Sequence, residues 1–238
     1  SSGIESSELV KVIDFENVGN NDFLVVNQLS VEHNSEAGAR RPDVVLFVNG
    51  LPLAVIELKN PLDLETDIWE AFNQLETYKE HITRLFFYNV ALAIADGSDA
   101  RAGSLTADRE RFLKWRSING EELDPHGSFG HAQTLIEGLF NKKNLLDVIQ
   151  YFTIFVAGKK TIKMFPGYHQ FYAVTKAYHR AITASQTGGD GKGGLMWHTQ
   201  GSGKSYEMAC LAGKLIKSSE LKNPTVVLVT DRNNLDDQ

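Results

Sequence analysis

The chain of 238 residues holds one cysteine, Cys210, so neither a disulfide framework nor a cysteine metal site can be built within it. Cys210 falls in a stretch read as helix, where a lone thiol serves as a small core residue. No run of roughly 18 or more apolar residues occurs, so no membrane-spanning helix is expected. The start, Ser1-Ser2-Gly3-Ile4-Glu5, lacks the apolar core of a secretory signal. A reducing cytoplasm fits these absences. Positive charge is also short: 24 Lys and Arg stand against 30 Asp and Glu, a net charge of −6. That argues against a uniformly basic nucleic-acid coat but leaves local patches open. Arg40-Arg41, Lys142-Lys143 and Lys159-Lys160 with Lys163 are candidate patches, and each reads more readily as solvated surface than as a phosphate contact. No internal repeat is visible. Hydrophobic content of 42% and charged content of 23% are ordinary for a globular protein, and the length suits one large or two modest domains.

The sequence centres on residues 41–59, Arg41-Pro42-Asp43 through Glu57-Leu58-Lys59. Two apolar, β-branched runs flank Asn49-Gly50, a strong hairpin signal. Asp43, Glu57 and Lys59 sit at the ends away from the turn, where charge in a buried strand needs a partner. Alternation puts Glu57 and Lys59 on one face. A three-residue turn, Asn49-Gly50-Leu51, pairs Val48 with Pro52 and sets Asp43 opposite Glu57. A two-residue turn sets Asp43 opposite Ile56, with the carboxylates on different faces. The three-residue turn is expected, because it gathers both carboxylates and the ammonium. Facing carboxylates repel unless a cation lies between them, and oxygen ligands with room for water suit Mg²⁺. Lys59 could then hold or deprotonate a water attacking phosphorus. Taken as residues alone, the same set also reads as a salt bridge at a sheet end.

Around the hairpin, Leu9–Phe15 and Phe23–Gln28 read as strands and Val31–Arg40 as loop. A helix is expected near Asp67–His81, capped by Thr66 or Asp67, with Ile68, Phe72 and Leu75 as its apolar stripe and Gln74 and Tyr78 sharing a face. Asn89–Ala95 reads as a strand, Ala102–Ala107 and Phe112–Trp115 as edge strands, and His131–Phe140 and Asn144–Phe152 as helices. This predicts an α/β fold, a mixed sheet with flanking helices over 1–152. A connector follows at 153–165, then a second unit at 166–238.

That second unit opens with a helix from Tyr168-His169-Gln170. After the glycine-dense 187–194, Leu195–His198 reads as a strand running into His198-Thr199-Gln200-Gly201-Ser202-Gly203-Lys204-Ser205. Met208, Leu211, Ala212, Leu215 and Ile216 then recur at helical spacing. Thr225–Thr230 reads as a buried parallel strand. Strand, glycine loop, helix, strand is the setting of a phosphate loop. Gly201 and Gly203 let backbone N–H groups wrap a phosphate at a helix N-terminus. Lys204 would reach the β- and γ-phosphates of ATP and the Ser205 hydroxyl would ligate Mg²⁺. The strict pattern begins with glycine, and here that position is His198.

Pro42-Asp43 followed across a hairpin by Glu57-Leu58-Lys59 resembles the PD-(D/E)XK nuclease signature. Gln74 and Tyr78 resemble the Gln-x-x-x-Tyr element that RecB-like members set beside the metal. The relaxed first position at His198 resembles helicase-type phosphate loops, and Gln170 resembles the adenine-reading glutamine of superfamily 2 helicases. Together with 21–28, Tyr88-Asn89 and Asp96-Gly97, this order resembles the restriction (R) subunit of type I restriction–modification enzymes over nearly the whole chain. The resemblance implies a restriction-endonuclease-like fold followed by the first part of a RecA-like P-loop parallel sheet. It implies an ATP-dependent endonuclease and translocase acting on duplex DNA beside methyltransferase (M) and specificity (S) subunits. Asp43 and Glu57 would hold Mg²⁺ with the Leu58 carbonyl, Lys59 would activate water, and Gln74 and Tyr78 would support the site. Gln170 and the loop Thr199, Gln200, Gly201, Ser202, Gly203, Lys204 and Ser205 would hold ATP. Many nucleases of this family carry a further acidic residue on an early helix, for which the segment before Leu9 is too short. No acidic Walker B segment, second motor domain or arginine finger follows, so the chain is expected to be a fragment unable to translocate DNA alone. A DNA-repair helicase–nuclease, or an inactive nuclease-fold docking module on a DNA motor, are the rival readings.

Overall fold

In the computed structural model, residues 11–32, 38–60, 67–127 and 129–229 are described. Strand β1 (Phe23–Asn27) precedes two short strands that pair with each other, β2 (Val31–Glu32) and β3 (Ala39–Arg40). The hairpin β4 (Val44–Val48) and β5 (Leu51–Leu58) follows. Helix α1 (Ile68–His81) leads to β6 (Ala91–Ala95), and β7 (Ala100–Gly103) and β8 (Leu113–Lys114) complete a six-stranded sheet ordered β1-β4-β5-β6-β7-β8. Only β5 and β6 are parallel, because only they are joined through a crossover helix. Asp67 caps α1, its carboxylate accepting from the Trp69 N–H at 3.4 Å.

The hairpin turn differs from the expected one. It has two residues, Asn49 at φ +50° and Gly50 at φ +79°, and Val48 pairs with Leu51, not Pro52. Positive φ at both central positions matches the right-handed twist of the strands it joins. On that register Asp43 would face Ile56. The ladder shifts, however, between Leu46 and Phe47: Phe47 pairs with Pro52 and Leu46 with Ala54, leaving Leu53 as an extra residue on β5. Proline has no N–H to give a ladder, so a bulge forms readily beside Pro52. Beyond it Val45 faces Val55 and Val44 faces Ile56, and the next pair in register is Asp43 and Glu57.

The two faces bury different sets. Val45, Val55, Leu92 and Ile94 pack under α1 with Ile68, Phe72, Leu75 and Tyr78. Leu46, Ala54, Ala91, Ala93 and Ala102 face the opposite way. That side is covered by α2 (His131–Gly138), α3 (Lys142–Asp147) and a π-turn at Val148–Phe152. Helix α4 (Tyr168–Ser185) adds Phe171, whose ring centroid lies 5.0 Å from Phe152 and 5.5 Å from Trp115. Helix α5 (Lys204–Ile216) adds Tyr206 and Cys210. Parity places Asp43, Glu57 and Lys59 on the α1 face.

Several local expectations change. Residues 11–15 form no strand, and Leu9 lies outside the described residues. Asp14 instead takes N–H bonds from Glu16 and Asn17, both at 3.0 Å, and side-chain acceptors of this kind compete with strand ladders. The expected loop over 31–40 contains β2 and β3, and the connector contains an antiparallel hairpin, β9 (Ile154–Val156) with β10 (Ile162–Met164). No sheet forms among the described residues after Met164. Leu195–His198 and residues 225–229 pair with nothing, and Leu195 and Trp197 are 94% and 87% exposed. A strand exists only through its neighbours, so the parallel sheet expected there is not seen. Helix α5 accordingly buries Tyr206, Glu207, Cys210 and Lys214, while Met208 and Ile216 of the expected apolar stripe stay exposed.

Candidate functional site

Asp43, Glu57 and Lys59 come from adjacent strand ends, and α1 closes over them. The Leu58 N–H donates to Asp43 Oδ2 at 2.9 Å, holding one carboxylate against the end of β5. Glu57 is only 2% exposed. Burial, then the charge of Asp43, pushes its carboxyl up to about 7. Two acids forced together and away from water disfavour the second charge. Lys59 Nζ donates to Gln74 Oε1 at 2.8 Å, Gln74 Nε2 to the Tyr78 hydroxyl at 2.6 Å, and that hydroxyl to the Arg41 carbonyl at 3.3 Å. The chain runs in one donor direction, which sets the orientation of the Gln74 amide and lets each bond polarise the next. Burial raises the Tyr78 phenol, so it remains a donor. Its acceptor, Arg41, lies two residues before Asp43, so the chain ties the end of β5 through α1 back to the start of β4. All five residues expected at the nuclease centre are therefore brought together.

An open groove of about 600 Å³ passes over Asp43, Leu58 and Lys59, with Asn27, Gln28 and Arg41 on its walls. Among the described residues no cluster of three or more His, Cys, Asp or Glu could hold a metal. Two carboxylates with a neighbouring carbonyl and an open groove suit an ion that keeps several waters, which is the habit of Mg²⁺. A divalent cation there would also relieve the repulsion that raises Glu57. The donor set fits the ion.

The second set of expected residues lies at the start of α5. Gly201 and Gly203 take φ +80° and +86°, the left-handed backbone that lets successive N–H groups converge. Lys204 Nζ turns back onto the carbonyls of His198 at 3.1 Å and Thr199 at 2.8 Å. Gln170 accepts from the Gly167 N–H at 2.8 Å and donates to the Ser202 carbonyl at 2.7 Å. Its amide is thus engaged by backbone on both sides, and reading a base would require exchanging one of these bonds. A Cβ on Gly203 would lie 2.4 Å from Gln170 Nε2, so a side chain there would push the Gln170 amide aside. Thr199, Gln200, Ser202 and Ser205 belong to the same contiguous loop and helix start. They lie apart from the carboxylate groove, and no described wall residue is common to the two sites.

Two features had only faint signals in the sequence. A cavity of about 350 Å³ beside the loop is lined by Gly201, Gly203 and Gln170, but also by Arg111 and Lys163 from earlier segments. Burial lowers the Lys163 ammonium to about 8, and it donates to the Asn89 carbonyl. The other is Glu207, buried against His198. An acid within the helix after the loop was its only mark.

Comparison with known families extends the picture. Residues 2–111 match the model of the type I restriction enzyme R protein N terminus, and residues 169–238 match that of the SWI2/SNF2 ATPase. The chain is 49% identical over its full length to the type I restriction enzyme HindI endonuclease subunit of Haemophilus influenzae, covering 23% of that protein. It is 38% identical to the putative type I restriction enzyme MjaIXP endonuclease subunit of Methanocaldococcus jannaschii, over all of this chain and 24% of that protein. A Staphylococcus aureus type I restriction enzyme endonuclease subunit is 30% identical over 98% of this chain and 23% of its own length. The chain thus spans about a quarter of the length of the curated relatives it matches.

Proposed function

The chain belongs to the family of type I restriction enzyme endonuclease subunits, and from that premise we propose that it carries the DNA-cutting centre and the start of the ATP-driven motor of such a subunit. Its substrate is the phosphodiester backbone of duplex DNA, and its partners are a methyltransferase and a specificity subunit. The observation that carries the cutting role is the hydrogen-bonded chain Lys59–Gln74–Tyr78–Arg41 beside the Asp43 and Glu57 carboxylates. A salt bridge at a sheet end would not need the Gln74 relay, nor leave Glu57 protonated near neutral pH.

Asp43, Glu57 and the Leu58 carbonyl would hold Mg²⁺, which when bound polarises a phosphate oxygen and acidifies a water. Glu57, raised by burial, surrenders its proton as that site fills. Lys59 has three N–H donors. One is held by Gln74, which leaves the ammonium aimed at the groove with donors remaining to orient the attacking water and meet charge on the phosphate. Gln74 and Tyr78 touch no reacting atom. They keep Lys59 in place, and α1 excludes water from behind it.

At the other site, the amides at Gly201–Lys204 and the Lys204 ammonium would meet the phosphates of ATP, with Ser205 on its Mg²⁺. Lys204 must first leave the His198 and Thr199 carbonyls. In the intact subunit within its complex, Lys59→Ala should lower DNA cleavage by about 10²–10⁴-fold with ATP turnover unchanged. Lys204→Ala should remove turnover and cleavage together. Undiminished cleavage by Lys59→Ala would refute the nuclease reading, and wild-type ATP turnover by Lys204→Ala would refute the motor reading.

A further inference from the structure

His198 stands where the strict phosphate-loop pattern has glycine, and the roles proposed above leave its side chain unused. The imidazole Nδ1 lies 2.7 Å from Glu207 Oε1. Glu207 sits in the first turn of α5 with none of its surface exposed, and its other oxygen, Oε2, has no hydrogen-bond partner. A buried carboxyl with one acceptor unmatched is costly to keep, so a packing role alone is a poor account of an acid there. The bond joins the first residue of the loop to the helix that the loop feeds. Between its ends lie Gly201 and Gly203, both at positive φ, and Lys204. The backbone of His198 is engaged as well, its carbonyl accepting from Lys204 Nζ at 3.1 Å. On the other side, His169 meets the His198 ring edge-on at 5.3 Å between centroids, and Gln170 holds the Ser202 carbonyl at 2.7 Å.

We infer that Glu207 is a positioning residue for the proposed nucleotide site: through His198 it pins the first residue of the phosphate loop to α5, so that the loop amides and Lys204 are ordered before a nucleoside triphosphate arrives. The inference rests on the nucleotide reading above. A loop ordered in advance loses less freedom on binding, so releasing the pin weakens capture of ATP more than its turnover once bound.

The test uses the intact subunit in its complex, with ATP turnover measured against ATP concentration. Glu207→Ala and His198→Ala should each raise KM for ATP by about tenfold while kcat changes by less than about threefold. The double variant should be no worse than the weaker single, because both remove one bond. Glu207→Gln, whose amide oxygen still accepts from the Nδ1–H of neutral imidazole, should restore KM to within about threefold of wild type. KM within about twofold of wild type in His198→Ala, or single effects that multiply in the double variant, would overturn the inference. Should Glu207→Ala fail to fold, His198→Ala and Glu207→Gln still decide it, since the His198 side chain is partly exposed. Lys204→Ala separates the two readings. Turnover by it at the wild-type rate removes the nucleotide site itself, whereas loss of turnover with unchanged KM in His198→Ala removes only the positioning role.

Discussion

Asp43, Glu57, Lys59, Gln74 and Tyr78 are drawn from two strand ends and a helix, whereas residues 198–205 form one unbroken stretch of loop and helix start. The first group has no geometry until β4, β5 and α1 are packed, and then it has several independent constraints: a ladder register, a helix cap and a run of side-chain hydrogen bonds. The loop takes its shape from two glycines and a helix start. It keeps that shape even though the apolar runs on either side of it are unpaired. A helix satisfies its backbone within one segment, while a strand depends on a neighbour. The carboxylate site should therefore be sensitive to whatever disturbs the sheet, and the loop to its own residues and to the two side chains bonded to it, Gln170 and Glu207.

The sharpest way to probe the packed site is its stored charge. Below the ordinary value of 4.5 Glu57 is protonated in both native and unfolded chains, and above about 7 it is ionised in both. Between these values the native state keeps a proton that the unfolded chain has released, so native stability falls as pH rises through that window. Without divalent cations at pH 8, Glu57→Gln should be more stable than the parent by on the order of 3 kcal/mol, and the advantage should vanish near pH 4. Urea unfolding at the two pH values measures this. An advantage that persists at pH 4 would place its source elsewhere than in the carboxyl. Adding Mg²⁺ at pH 8 should raise the parent's unfolding midpoint and leave Glu57→Gln nearly unmoved.

Paired glycine substitutions sharpen the contrast between the two regions. Gly50→Ala forces a side chain to φ +79° within a hairpin whose two strands lie inside the sheet, and should cost about 1–2 kcal/mol of global stability. Gly201→Ala meets similar strain at φ +80°, but a Cβ there enters open space in a loop outside any sheet. Its effect on global unfolding should stay below about 0.5 kcal/mol. Equal losses at both sites would show that the loop is as firmly coupled to the core as the hairpin is.

Much of the carboxylate site is legible in the amino-acid sequence, because it rests on short-range signals. Asn49-Gly50 marks a turn, alternation puts Glu57 and Lys59 on one face, and a spacing of four joins Gln74 to Tyr78. The route by which Asp43 meets Glu57 is not legible there. The expected three-residue turn and the observed two-residue turn with a bulge at Leu53 give the same pairing at the strand ends. Hairpin periodicity cannot distinguish an extra residue in the turn from one placed three residues further on. The buried face of α5 departs from its sequence pattern for a related reason: apolar spacing marks Met208, Leu211 and Leu215, yet the helix packs through Tyr206, Glu207, Cys210 and Lys214. Lys214 there donates to Asp147 at 2.6 Å and lies 4.8 Å from the Tyr151 ring centroid, partners that lie far back in the chain.

By itself the amino-acid order determined where the local pieces fall: a turn at Asn49-Gly50, a cap at the start of α1, the glycine loop, the helix behind it, and which chemical groups each piece carries. Those follow from preferences that act over a few residues. Tertiary packing alone decided that Asp43 and Glu57 share one face of the sheet, that burial raises Glu57, that Lys59 is held through Gln74 and Tyr78 to Arg41, and that Glu207 turns inward to His198. Each of these depends on which distant segment comes to lie alongside, and on how much water that neighbour displaces.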